Sequence, residues 1–268
     1  MASTTFQRIL VTGAAGKVAR SVLPWLAPLA GELRLTDIVA FGGDAAPSHP
    51  FLQADLAQPE AAARVVDGVD AIVHFAGHPR EAPWSVLVDA NLRTAAHLWD
   101  AAVAAGVRRI VHASSNHAVG YCERSRVIGP QEPPRPDSRY GVTKVFMEAL
   151  AQLHADKHGV RAFGIRIGHC SEAPRDARML ANWIHPEDLA QLIGVGLTAE
   201  YRCEIVYGVS DNRASWYDNR RAESLGYRPR HSADRWAAAL AGVVEDDPVA
   251  RRFQGGAFAA ADHVGTLR

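Results

Sequence analysis

The sequence predicts an α/β fold built on a parallel sheet wrapped by helices, and three observations predict it. Strand-like and helix-like stretches alternate through residues 1–167. The runs "DAIVHFAG" (Asp70 to Gly77) and "RRIVHASS" (Arg108 to Ser115) are almost continuously apolar, as strands covered on both faces are. The first strand-like run breaks at glycines straight into helical spacing.

The elements follow in order. "RILVTGAAGKVARSVLPWLAPLAG" gives a short strand, a glycine turn, and a helix spaced on Val18, Val22, Leu23 and Leu26. "ELRLTDI" is a second strand ending in Asp37, and "FLQADL" a third ending in Asp55. Between the two apolar runs an alanine-rich helix is expected over about Trp84 to Ala105, stopped by Gly106. Tyr140 to His158 reads as a further helix and "VRAFGIRIG" as a further strand. From Gly168 the rhythm loosens into loops, a helix near Pro186 to Leu197, the strand "EIVYG" and a short helix-rich tail. Residues 1–167 are thus expected to form the domain that carries the sheet. Residues 168–268 would form a small lobe interleaved with the sheet's last strands, the two making one unit.

A chain of 268 residues can bury one substantial core. Lys+Arg 29 balance Asp+Glu 29, so no global field recruits nucleic acid or an anionic membrane, and any anionic ligand must be met locally. Three cysteines without a CxxC pair fit a reducing compartment better than a disulfide framework. No apolar stretch is long enough to span a bilayer, and a cytoplasmic protein is expected. The histidines show no HExxH or paired ligand spacing, so no metal site is expected.

"VTGAAGKVA" sets Gly13 and Gly16 in a strand-to-helix turn, with Ala19 at the place of a third glycine. A turn without side chains lets backbone N–H groups and a helix N-terminus approach a pyrophosphate. Asp37 closes the next strand at the spacing of the acid that binds a ribose diol, which marks a dinucleotide site. A carboxylate there repels a 2′-phosphate, and "TDIVAF" holds no neighbouring arginine, so NAD is favoured over NADP. Asp55 is placed to contact the adenine or to face solvent.

"RPDSRYGVTKVFMEAL" places Tyr140 and Lys144 four residues apart, hence one above the other on a helix. A free phenol, with a pKa of about 10, is a poor base at neutral pH. A neighbouring ammonium group favours the phenolate, so Lys144 is expected to make Tyr140 a proton acceptor.

Glycine loop, acid, "SSN" at the end of the fifth strand, and YxxxK come in the order of a Rossmann-like doubly wound fold whose strand ends share one crevice. Together with "HFAG", "HASSNHAVGY" and "HPEDLA", they resemble the extended, epimerase-like branch of the short-chain dehydrogenase/reductase superfamily over nearly the whole chain. "ASSNHAVGY", "RIGHCSEAPRDARML", "VYGVSDNRASWYDN" and "RFQGGAF" are more specifically similar to the uronate dehydrogenases of that branch. The resemblance implies NAD-dependent oxidation of free galacturonate or glucuronate to an aldarolactone. Tyr140 would be the general base, Lys144 would bind the nicotinamide ribose, and Ser115 and Asn116 would orient the substrate. It implies a cofactor set of Gly13, Ala15, Gly16, Lys17, Val18, Asp37, Ile38, Asp55, Leu56, Phe75, Ala76, Gly77, Asn91, Ser114 and Cys170, with Tyr140 and Lys144. It also implies a sugar set of Ser115, Asn116, His117 and Tyr140, with Pro79 and His169 standing where serines are expected. Arg178 would hold the carboxylate in a bidentate grip, with Arg175 as the alternative. A homo-oligomer formed through helices flanking the sheet is expected by the same analogy.

Two other readings stay open on the sequence. An epimerase or dehydratase acting on a nucleotide sugar shares the fold, although little chain follows the sheet to grip a nucleotide. A non-enzymatic NAD sensor would keep the fold and lose the chemistry.

Overall fold

The computed structural model describes residues 6–42 and 49–265. The first strand, β1 (Phe6–Thr12), leads into helix α1 (Lys17–Leu26), and then come β2 (Ala30–Asp37), β3 (Phe51–Gln53), α2 (Pro59–Val66) and β4 (Ala71–His74). Helices α3 (Trp84–Leu87) and α4 (Thr94–Ala104) precede β5 (Arg109–Ser115). The long helix α5 (Arg139–His158) is followed by β6 (Arg161–Ile167), β7 (His169–Cys170), α6 (Met179–Asn182), β8 (Trp183–Ile184), α7 (Pro186–Thr198) and β9 (Cys203–Gly208). Short helical turns carry the chain to its end. Among the described residues no helix is long and apolar enough to cross a membrane.

The main sheet has seven strands in the order β3-β2-β1-β4-β5-β6-β9, and its pairings are parallel. β7 and β8 form a separate two-stranded ribbon. The strand order reverses between β1 and β4, which opens a crevice at the carboxyl ends of the strands. The apolar runs are continuous because successive side chains enter two different cores. Ile9, Val11, Val73 and Val111 pack with residues of α1 and α7 on one face. Leu10, Ile72 and Ile110 pack with α2, α4 and α5 on the other.

The helix expected over Trp84 to Ala105 is interrupted. Residues Val88–Arg93 form a π-helical stretch between α3 and α4, which turns Asn91 inward. Its Oδ1 accepts from His78 N at 2.6 Å, and its Nδ2 donates to His78 O at 3.2 Å and to Thr143 Oγ1 at 2.8 Å. A side-chain amide that satisfies the backbone of the β4 loop is a reason for the chain to accept the rarer helix geometry there.

Helix α5 starts where Ser138 caps it, with Oγ accepting from Gly141 N at 3.0 Å, and it stops at Gly159 in the left-handed region, φ 68. Glu148 on its inner face takes Arg166 of β6 in a two-pronged pair, Nε and Nη2 each at 2.9 Å, and accepts Ser114 Oγ of β5 at 2.6 Å. Arg166 also reaches the Tyr207 hydroxyl at 3.3 Å. These charges are buried and mutually satisfied, which is the condition for keeping ions in a core. Arg166→Met leaves the Glu148 carboxylate uncompensated and is expected to cost about 3–5 kcal/mol in urea unfolding. The double change with Glu148→Leu is expected to recover most of that loss.

Candidate active site

A cavity of about 1230 Å³ runs along the carboxyl ends of β1, β2, β4, β5 and β6. At one end stands the glycine turn. Gly13 has φ +65, and a Cβ there would lie 2.6 Å from Ala76 N, so only glycine lets the turn approach the β4 loop. Gly16 leads into α1 without a side-chain cap, and Lys17 is exposed at the first helical position. Ala15 N donates to Asp37 Oδ2 at 2.9 Å, which binds the acid at the end of β2 to the turn. Free helix N–H groups, a nearby lysine and a carboxylate at the next strand end fit a pyrophosphate and an adenosine ribose. Val18, Ile38, Asp55, Leu56, Phe75 and Gly77 complete this end of the cavity.

The structure brings nearly all the expected residues to the cavity wall, with two exceptions. Asn91 does not border it, and its amide is spent on His78 and Thr143 behind the wall. Arg178 does not border it either, whereas Arg175 does. Arg178 is half-buried, and Nε donates to Gln254 O at 2.9 Å. Its Nη2 stands 2.9 Å from the side-chain oxygen of Asn116 when that amide is oriented to donate to Ile167 O at 3.1 Å. Arg178 therefore lies behind Asn116, one residue back from the surface the substrate first meets.

At the opposite end lie Tyr140, Lys144, Ser114, Ser115, Asn116 and His117. Lys144 Nζ donates to Ala113 O at 2.8 Å and sits 5.4 Å from the centre of the Tyr140 ring. Burial opposes the effect expected of the ammonium on this phenol. Burial is the largest influence on Tyr140 and pushes its pKa up to about 12, with Ser115 pulling it down and Asp137 pushing it up further. Lys144 Nζ, drawn to Ala113 O and 5.4 Å from the ring centre, does not offset that burial. Burial lowers Lys144 itself to about 8, against the carboxylate of Glu148. Two of its three N–H donors have no partner among the described residues, which leaves them for ribose hydroxyls.

Two functional neighbours carry no local sequence signal. Asp137, fully buried, meets His117 Nδ1 through Oδ2 at 2.7 Å. Phe258, from the tail, stacks on the His117 ring at 3.9 Å and 25° and borders the cavity. Glu81 also reaches in, accepting from Tyr140 N at 3.0 Å at the start of α5. His169 borders the cavity, with Nε2 accepting from Arg175 Nη2 at 3.4 Å, and burial lowers its pKa. Pro79 borders it without a hydroxyl to offer, and Cys170 is held protonated, its pKa pushed up to about 12 by burial.

Away from the cavity, His185, Glu187 and His231 bring potential ligand atoms within 4.8 Å of one another, although no metal site was expected. His185 Nδ1 accepts from Glu187 N at 3.2 Å at the start of α7, and the His185 and His231 rings stack at 3.6 Å and 15°.

The model of the NAD dependent epimerase/dehydratase family matches residues 9–199. The chain belongs to this family. Within it, the chain is 40% identical to a uronate dehydrogenase of Pseudomonas putida over 265 residues, 97% of this chain and 98% of that one. A glucuronic acid dehydrogenase structure from Chromohalobacter salexigens superposes with a TM-score of 0.90 at 42% identity, covering 96% of this chain and 98% of that one. A uronate dehydrogenase from Agrobacterium tumefaciens, a tyrosine-to-alanine mutant complexed with NAD, superposes with a TM-score of 0.89 at 38% identity, covering 95% and 97%.

The Lys144 shift sets a stability test. Because its folded pKa of about 8 lies below the ordinary lysine value of 10.5, burying the ammonium costs stability in full below pH 8. The cost shrinks as the pH rises toward 10.5 and is absent above it. Lys144→Met is expected to raise the thermal midpoint at pH 7, with the advantage fading by pH 10.5. Scanning calorimetry at several pH values reads this.

Proposed function

We propose that the chain oxidises a free uronic acid at its anomeric carbon to an aldarolactone, with NAD as the hydride acceptor. The observation that carries the substrate class is Arg178. Loss of solvent pulls its guanidinium below its usual range, and among the described residues no carboxylate stands within salt-bridge distance of it. Glu245, across Gly256, is taken by Arg124 at 3.0 and 3.1 Å. This half-buried guanidinium without an acid lies behind Asn116, whose amide it contacts and which borders the cavity, and it would add positive charge behind a site for an anion that enters with the substrate. Relatives named uronate dehydrogenase, similar over nearly the full chain, support that anion being a sugar carboxylate.

The glycine turn, Asp37 and the free donors of Lys144 would hold the dinucleotide, and NAD when bound supplies the hydride acceptor. The rest is done by side chains of this chain. Tyr140 takes the proton of the anomeric hydroxyl as the anomeric hydrogen departs, and Ser115 favours the phenolate that receives it. Ser115 and the Asn116 amide hold the oxygen that becomes the lactone carbonyl. Burial around Tyr140, 8% exposed, keeps water from competing for that proton.

Mixing the chain with NAD and free galacturonate or glucuronate is expected to release NADH steadily. A nucleotide-sugar epimerase would return its cofactor oxidised. Tyr140→Phe is expected to lower kcat at least about a thousandfold, within the range for loss of a general base, while the chain still binds NAD in calorimetry. Turnover at the parental rate in that variant would show that another group takes the proton. Arg178→Ala is expected to raise KM for the uronate about tenfold, as for the loss of a charge and of the hydrogen bond that orients Asn116, with NAD affinity unchanged.

A further inference from the structure

His117 has a carboxylate behind it. Asp137 is fully buried between the backbones of Gly120 and Gly255, where a Cβ on either glycine would fall within 1.9 Å of Oδ2. Its Oδ1 accepts from Ser138 Oγ at 2.8 Å, and Ser138 Oγ in turn accepts from Gly141 N at the start of α5. The remaining oxygen, Oδ2, lies 2.7 Å from His117 Nδ1. Two acceptors at that distance would repel, so the proton sits on Nδ1 and is donated to the carboxylate. The plane of the ring is set independently, by Phe258 stacked at 3.9 Å and by the Tyr140 ring edge-on at 5.9 Å and 69°. With Nδ1 committed, the neutral ring has a lone pair on Nε2, which has no partner among the described residues and belongs to a side chain on the cavity wall.

We propose that Asp137 is a positioning residue that locks His117 in the Nδ1–H form, so that the sugar end of the cavity accepts a hydrogen bond from a substrate hydroxyl through Nε2. The same carboxylate joins three parts of the site: the turn after β5 that carries His117, the cap of α5 that carries Tyr140, and the tail that delivers Phe258. A sugar hydroxyl meeting Nε2 must act as donor, and a ring substituent lacking a proton to donate is disfavoured there. The proposal rests on the reading that the cavity takes a hydroxylated sugar.

The test has two arms. Nitrogen-15 NMR of the histidine-labelled chain, with the His117 signals assigned by their loss in His117→Gln and the pH held where the ring is neutral, is expected to show the proton on Nδ1. A neutral ring protonated on Nε2 overturns the proposal. In kinetics, Asp137→Ala is expected to raise KM for the uronate about tenfold, as for one misdirected hydrogen bond, with NAD affinity unchanged. Asp137→Asn, whose amide oxygen still accepts from Nδ1–H, is expected to recover most of that loss. An alanine variant that folds, binds NAD and keeps the parental KM overturns the proposal, as does an asparagine variant no better than alanine. Should the alanine variant fail to fold, the parental tautomer and the asparagine variant decide. A parental chain that turned over no uronate would sink the functional reading alone, and the NMR arm would still decide Asp137.

Discussion

The placement of Tyr140 depends on how α5 is tied to the ends of β5 and β6. Tyr140, Lys144 and Glu148 follow one another at intervals of four on one face of that helix. Glu148 binds Arg166 and Ser114, and Lys144 binds the backbone of Ala113, so two neighbouring strands fix both the rotation and the height of the helix. Tyr140, one turn nearer the N-terminus, is left facing the crevice with Glu81 on its amide and Ser115 at its hydroxyl. A buried ion pair contributes little net stability against an apolar substitute, but its directional bonds allow only one register. Here that register decides whether the phenol faces the cavity.

The same burial opposes the effect that the neighbouring ammonium has on the phenol. Four-residue spacing gives the distance between two side chains on a helix and says nothing of the carbonyl at the end of β5 that draws the ammonium away. What spacing did make legible is considerable: the glycine turn, Asp37 at the second strand end, and YxxxK are each short-range patterns with one structural solution. The alternation of strands and helices, and the two-sided burial behind the apolar runs, were equally legible. Asp137 and Phe258 were not, because they meet His117 across 20 residues and from the far end of the chain, where periodicity has nothing to read. The π-helical stretch at Asn91 escaped for a similar reason: its cause is a contact with the β4 loop, and its own composition is ordinary helix.

The sugar end shows how this chain varies its family's site. Pro79 brings no hydrogen-bond donor to the wall, and His169, 3.4 Å from Arg175 Nη2, places an imidazole where the family resemblance implies a small hydroxyl. Arg175 faces the cavity and Arg178 lies behind Asn116, so the cations are arranged in depth: one at the surface the substrate meets, one beneath it. An anion entering this end meets Arg175 first, with the charge of Arg178 behind Asn116.

On the proposed reading the phenol of Tyr140 faces the anomeric end of the sugar, and its carboxylate lies toward Arg175 and Asn116, with Arg178 behind. The most direct measurement is a crystal structure of the chain with NAD and a uronate held at low turnover. The anomeric hydroxyl is expected within hydrogen-bond distance of the Tyr140 oxygen, with the carboxylate against the Arg175 and Asn116 wall. A sugar whose anomeric carbon is turned away from position 140, with its carboxylate far from both, would show that the assigned base is wrong.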